Sequence, residues 1–142
     1  MKTVTIAILA ALALPAAALA QTESQTPPAA APADQAAVQG DAAKGEKVFA
    51  KCKACHMADA ETNRVGPHLK GLIGRNVAAV QNYKYSDAMH EFAKANPVWT
   101  EELFLTYIEN PKQVVPGTKM VFPGLKKPEE RADLLAYLKT KM

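Results

Sequence analysis

Cysteine is nearly absent from this sequence: Cys52 and Cys55 are the only two. A disulfide-stapled scaffold is thereby excluded, because one bridge between residues three apart would be tight and would close almost no chain. Histidine is equally scarce. His56, His68 and His90 are the whole supply, and the last two do not form the second Cys/His pair that a structural zinc site needs. Also missing are any glycine-rich nucleotide motif, any internal repeat and any convincing period-two alternation, which leaves no signal for a nucleotide fold, a repeat array or a sheet. Positive charge is modest too. The formal net charge is +3 and falls by one if Lys2 is removed, too little to argue for a nucleic-acid partner.

What is present is a single run, Cys52-Lys53-Ala54-Cys55-His56. Two thiols one helical turn apart can each form a thioether with a vinyl group on one edge of a porphyrin, and the histidine that follows is then held under the iron. The run reads as an attachment site for c-type haem. A thioredoxin-like redox pair shares the Cys-x-x-Cys spacing but wants a βαβ setting and a helix N-terminus to lower the thiol pKa, whereas here the cysteines end a helical stretch. A disulfide would leave His56 without a role.

Met1 to Ala20 reads as a secretory signal: Lys2 is a short positive n-region, Ile6 to Leu14 an apolar core too short to span a bilayer, and Ala18-Leu19-Ala20 a small-residue cleavage site. The mature chain then begins near Gln21 in the periplasm, where thioether formation caps both thiols against oxidation. The rival reading is a signal kept uncleaved as a membrane anchor, and Pro15 and the short apolar run count against it. Residues 21–40 are rich in Ala, Pro, Gln and Thr, with Val38 the only larger aliphatic. They cannot bury enough apolar surface to offset the entropy of ordering and read as a disordered spacer. Residues 41–142 are left as one small domain.

Apolar spacing in that domain is helical nearly everywhere, so the fold class is all-α. Asp41 is a candidate N-cap, and Gly45, Val48, Phe49 and Cys52 at i, i+3, i+4 and i+7 carry one stripe of the first helix into the cysteines. A turn over Leu69 to Ile73 is closed by Gly74. Ser86 caps a helix with Met89, Phe92 and Ala93 inward, and Thr100 caps another that has Glu101 and Glu102 in its first turn and stops before Pro111. The last helix starts on Pro128, carries Glu129 and Glu130 at its positive end, and has Leu134, Tyr137 and Leu138 on one face.

Four to five modest helices and long polar loops give too little hydrophobic sequence for a generous core, and a buried porphyrin would supply the missing apolar surface. Folding is therefore expected to depend on haem. For a second iron ligand the sequence offers Pro116-Gly117-Thr118-Lys119-Met120, a loop framed by Pro111, Pro116 and Pro123. Met89 has the spacing of helix core, yet the residues alone leave Met120, Met89 and a histidine all open as the sixth ligand.

From Gly40-Asp41 to Lys141 the sequence resembles class I cytochrome c, of the mitochondrial and bacterial cytochrome c2 type. The matching stretches are Lys44-Gly45 with Phe49, the Cys52 to His56 run, Val65-Gly66-Pro67, Gly71-Leu72-Ile73-Gly74-Arg75, Tyr85-Ser86-Asp87-Ala88, Trp99, Tyr107-Ile108-Glu109-Asn110-Pro111-Lys112, Pro116 to Phe122, and Asp133 to Leu138. This order of motifs is far more specific than any one of them. The resemblance implies a small cytochrome c fold, helices wrapped around one covalently attached haem c, with Cys52 and Cys55 as attachment points and His56 and Met120 as axial ligands. It further implies that the Pro67 carbonyl orients the His56 imidazole, that Arg75, Tyr85, Trp99 and Thr118 partner the haem propionates, that the Tyr107 hydroxyl lies near the methionine sulfur, and that Phe122 shields the haem edge. Gly45 and Phe49 would pack on Leu134 and Tyr137.

Two departures stand out against that pattern. Met89 occupies a position where mitochondrial members commonly carry Asn in a water-linked network, and Pro123 follows Phe122. His68 and His90 read as surface or packing residues. By resemblance, Lys51, Lys112, Lys119, Lys126 and Lys127 ring the exposed haem edge and face acidic patches on a cytochrome bc1-type complex, an oxidase or a reaction centre. The expectation is a soluble, monomeric, periplasmic electron carrier of a respiratory or photosynthetic chain, cycling between Fe(II) and Fe(III), and not an enzyme. The alternative is a haem-bearing redox subunit, peroxidase or gas sensor, which needs a labile sixth ligand, and a peroxidase would also need distal acid/base groups that are not seen.

Overall fold

The computed structural model describes residues 39–142; the signal reading of residues 1–20 and the spacer reading of residues 21–38 lie outside them. Five helices form among the described residues: α1 (Ala42–Phe49), α2 (Asp87–Ala95), α3 (Glu101–Glu109), the single turn α4 (Pro111–Val114) and α5 (Pro128–Lys139). No strand accompanies them there, and the one extended pairing is an antiparallel bridge between Asn76 and Val98. The all-α expectation of four to five helices is met.

Local chemistry starts each long helix. Asp41 accepts hydrogen bonds from the Ala43 and Lys44 amides at 2.8 and 3.2 Å, Ser86 from Met89 at 3.2 Å, and Thr100 from Leu103 at 3.1 Å, each satisfying a donor that the first helical turn leaves unpaired. Pro128 opens α5 at a position where its missing N–H costs nothing.

The longest-range contact is between α1 and α5. The Asp41 amide donates to Asp133 Oδ1 at 2.7 Å, and the Phe49 and Tyr137 rings meet at 5.3 Å between centroids. A Cβ on Gly45 would collide with the Asp133 carbonyl and stand 2.7 Å from the Tyr137 Cβ, so only glycine allows this approach. Phe104, Tyr107 and Ile108 of α3 join this core together with Leu72, Val77, Trp99, Val115 and Leu125 from the connections.

Three local readings are revised. The first helix ends at Phe49, and the cysteines follow in a turn in which the Cys52 amide bonds to Phe49 O at 2.8 Å and the His56 amide to Cys52 O at 2.9 Å. The apolar period outruns the helix because it also serves the turn. Pro111 both ends α3 and begins α4, since proline is as well suited to N1 of a helix as to the stop of the one before. Finally, α5 buries Arg131, Ala132 and Leu135 as well as the expected Leu134, Tyr137 and Leu138, because it is packed on α3 as well as on α1.

Candidate haem site

The two thiols sit half-buried in the turn after α1 and are not joined to each other. Burial pushes the Cys52 thiol up to about 11, so it is protonated at neutral pH, unlike the depressed thiol of a redox-active pair. Behind the run the chain folds back: the Gly66 amide bonds to Cys55 O at 2.8 Å, the Leu69 amide to Met57 O at 2.6 Å, and the Arg64 guanidinium to Lys53 O at 3.0 Å.

That return loop holds His56. Its Nδ1 lies 2.7 Å from Pro67 O, and because a carbonyl only accepts, Nδ1 carries the proton and Nε2 is left with its lone pair. Burial pulls the imidazole pKa below its usual value, an effect that the Pro67 bond only partly offsets, so the ring is neutral and fit to ligate a metal. Gly66 flanks the ring so tightly that a Cβ there would stand 2.7 Å from Nδ1 and 2.8 Å from Nε2. Gly66→Ala must therefore turn the imidazole out of line, a strain of about 1–3 kcal/mol for an overpacked site. The expected outcome is a lower yield of haem-loaded protein and a shift toward high-spin absorption; a Gly66→Ala protein with the wild-type spectrum would show that the ring is free to move.

A second group of residues gathers at Met120. The Tyr107 hydroxyl donates to Met120 Sδ at 3.4 Å, and burial raises the phenol pKa, with a bond to Thr118 opposing, so the donor proton is retained. The Met120 amide in turn donates to Thr118 Oγ1 at 3.2 Å. Tyr107 is positioned by α3 and by the Trp99 ring, 5.1 Å away edge-on. Phe122 packs, half-buried, against the same core. Met89, the competing thioether, is buried on α2.

A third group is organised by Arg75. The extended pairing beside α2 brings Trp99 to it, through the Trp99 amide to Arg75 O at 2.9 Å. The half-buried guanidinium donates to Lys70 O at 2.9 Å, His68 O at 3.0 Å and His68 Nδ1 at 3.3 Å, and burial lowers its pKa. His68 is thus a packing partner of Arg75, while His90 is exposed with its ring 5.9 Å from that of Tyr85. Tyr85 is half-buried against Tyr83, whose hydroxyl donates to Val65 O at 3.1 Å. Tyr83 and the His68–Arg75 pair were not foreseen; the only signal available was the recurrence of tyrosine at i and i+2.

Among the described residues no three His, Cys, Asp or Glu side chains converge to hold a metal ion. The donor set is instead one neutral imidazole, one thioether beside a hydroxyl donor, and two thiols a turn apart. These residues fit haem c, which needs two thiols for its vinyl groups and nitrogen or sulfur ligands for low-spin iron.

Comparisons with known proteins agree. The profile of the Cytochrome c family matches residues 42–141. Cytochrome c of Nigella damascena is 49% identical over 102 residues, covering 70% of this chain and 89% of the relative. Cytochrome c-550 of Ancylobacter novellus is 48% identical over 99 residues, 69% of this chain and 92% of the relative. The solved structure of cytochrome cH from Methylobacterium extorquens superposes with a TM-score of 0.66 at 47% identity, covering 72% of this chain and all of that one. The chain belongs to the cytochrome c family, whose members are electron carriers rather than enzymes and bind haem c covalently.

Proposed function

We propose that this protein is an exported, monomeric, monohaem carrier that shuttles single electrons between redox complexes of a respiratory or photosynthetic chain. One observation carries the reading: both candidate iron ligands are held by the chain's own hydrogen bonds, His56 by Pro67 and Met120 by Tyr107. Haem c, when bound, supplies a one-electron Fe(II)/Fe(III) couple. Cys52 and Cys55 would tether it through thioethers, and His56 and Met120 would both ligate the iron, which would leave no open site for a substrate or peroxide. Pro67 keeps the imidazole basic, while the uncharged thioether favours the reduced state. Arg75, Tyr85, Trp99 and Thr118 serve the propionates, whose buried charge needs donors or a cation. Export to the periplasm rests on the signal reading of residues 1–20, with cleavage after Ala20. No helix among the described residues is long and apolar enough to cross a membrane.

The partner is an acidic face of a bc1-type complex, an oxidase or a reaction centre, and the lysines proposed to meet it are unequal. Lys112 and Lys127 are exposed, and Lys119 and Lys126 donate only to backbone oxygens, of Tyr85 at 3.4 Å and Glu109 at 2.8 Å. Lys51 is 2.6 Å from Glu130, so much of its charge is already answered. Bimolecular rates with the organism's own membranes are expected to fall about tenfold or more between low and high salt. Lys→Glu at 119 or 127 is expected to slow the encounter severalfold with the haem spectrum intact, as like charges face each other across the contact, while Lys126→Glu should slow it as well but also loosens the tie to Glu109 O. The same change at Lys94 or Lys141, already paired with Glu91 and Asp59 at 2.7 and 2.6 Å, should do less. Rates that ignore both salt and substitution would favour a permanent subunit over a diffusible carrier.

A further inference from the structure

We propose that Arg131 is the positioning residue that keeps the Met120 thioether in place, acting through the backbone of the Met120 loop without touching the sulfur. The inference rests on Met120 being the sixth ligand. Arg131 is only 4% exposed and lies in the first turns of α5. A cation there is doubly out of place, since burial strips its water and the helix dipole is positive at that end. Three oxygens reconcile it: Leu125 O at 2.9 Å and Lys126 O at 3.1 Å accept from Nη1, and Glu109 Oε2 stands 3.5 Å from Nη2.

Those oxygens come from two places that must stay together. Leu125 and Lys126 end the loop that carries Met120, and Glu109 ends α3, the helix that presents the Tyr107 hydroxyl to Met120 Sδ. The same junction is sewn from the other side. The Leu125 amide bonds to Ile108 O at 2.8 Å and Lys126 Nζ to Glu109 O at 2.8 Å, while Gly124 leaves room for the Glu109 carbonyl that any Cβ would strike. Those α3 carbonyls, which a helix end leaves without partners, are thus capped by the loop exit, and the guanidinium locks that exit by turning two loop carbonyls inward. Without the fork the buried Leu125 carbonyl is left unpaired and the part-buried Lys126 carbonyl loses its donor, the loop exit loosens, and Met120 leaves more often.

The test uses oxidised holoprotein and cyanide, which enters only when the sixth ligand has left, so its association rate reports the open population. Arg131→Met is expected to raise that rate roughly 10- to 100-fold, the effect of orphaning the buried Leu125 carbonyl and freeing the Lys126 carbonyl beside it. Arg131→Lys, which keeps the charge but reaches one carbonyl at a time, should raise it about threefold to tenfold, and carries the test should the Met variant not accumulate holoprotein. Phe49→Leu, at the α1–α5 contact, is the control: it should lower the melting temperature but leave the cyanide rate within about threefold, since distant destabilisation need not open this loop. Unchanged rates in both Arg131 variants, or an equal rise in Phe49→Leu, would overturn the inference. Met120→Ala separates the two levels: if it keeps the far-red methionine-to-iron band, the ligand reading and this inference fall together; if it loses the band while the Arg131 variants bind cyanide as slowly as wild type, only the positioning role falls.

Discussion

The Cys52→Ala/Cys55→Ala chain is expected to carry no haem through acid-acetone extraction and to show no cooperative unfolding. The wild-type polypeptide should instead exceed its own mass by one haem under the same treatment. The physical reason lies in the distribution of regular structure. From Ala50 to Ser86 no helix forms, a span well beyond the length at which a connection without secondary structure holds itself in a compact domain. Its backbone ties are turns and loop closures rather than a helical ladder, and its buried apolar side chains are only Ala58, Leu72, Val77 and Val80. The α1–α5 contact with α3 is a small core for a domain of this size, and net stability of ~5–15 kcal/mol is easily lost when a large apolar group is withheld. Urea titration followed by far-ultraviolet dichroism decides the matter. A sigmoidal transition of native-like steepness in the haem-free variant would mean that the helical core suffices alone.

Met120→Ala is expected to remove the weak far-red methionine-to-iron absorption of the oxidised protein, to admit cyanide or CO, and to lower the potential by on the order of 0.2 V, a fraction of the ~0.8 V that axial ligation commands in haem proteins. Losing the sulfur withdraws a soft, uncharged ligand that prefers Fe(II), and it also strips the buried Tyr107 hydroxyl of the acceptor 3.4 Å away. Met89→Leu should spare the band, since Met89 is core packing on α2. Redox titration with spectroscopy on the two variants checks both statements at once. The reverse pattern would reassign the ligand and revive the readings that need a labile sixth position.

Helix starts were legible in the sequence because a cap is a local device: Asp41, Ser86 and Thr100 each satisfy amides two or three residues on. Helix ends were less so. The stripe through Gly45, Phe49 and Cys52 is continuous, yet the backbone leaves the helix at Phe49, and nothing in apolar spacing distinguishes a helical turn from the turn that follows it. Pro111 was read as a stop without being read as a start. The Cys52 to His56 run was legible for the same reason as the caps, its donors being neighbours in the chain. What holds His56 and Met120 was not legible from the residues, because Pro67 and Tyr107 are 11 and 13 positions away and only resemblance connected them. Arg131 lay beyond both routes. A basic residue beside Ala132, Leu134 and Leu135 looks like the solvated edge of an amphipathic helix until the loop carbonyls that surround it are in view.

The bond from the Asp41 amide to Asp133 Oδ1 joins residues 92 apart and, with Gly45 against Asp133 and Phe49 against Tyr137, makes the domain, in topological terms, a ring clasped along α1 and α5. Everything else, including the haem-binding turn, the return loop and the Met120 loop, is strung between the two sides of that clasp. Closing so long a ring costs more entropy than any other single contact in the domain, but the cost grows only with the logarithm of its length. Once closed, the ring confines the chain inside it, so that the stretches leading directly out of α1 close at a somewhat lower cost. Fraying α1 away from α5 is thus not a local event at the edge of the molecule. It reopens the largest loop first and weakens the haem-binding turn and return loop that lead out of α1, whereas the exit of the Met120 loop keeps its own ties to α3.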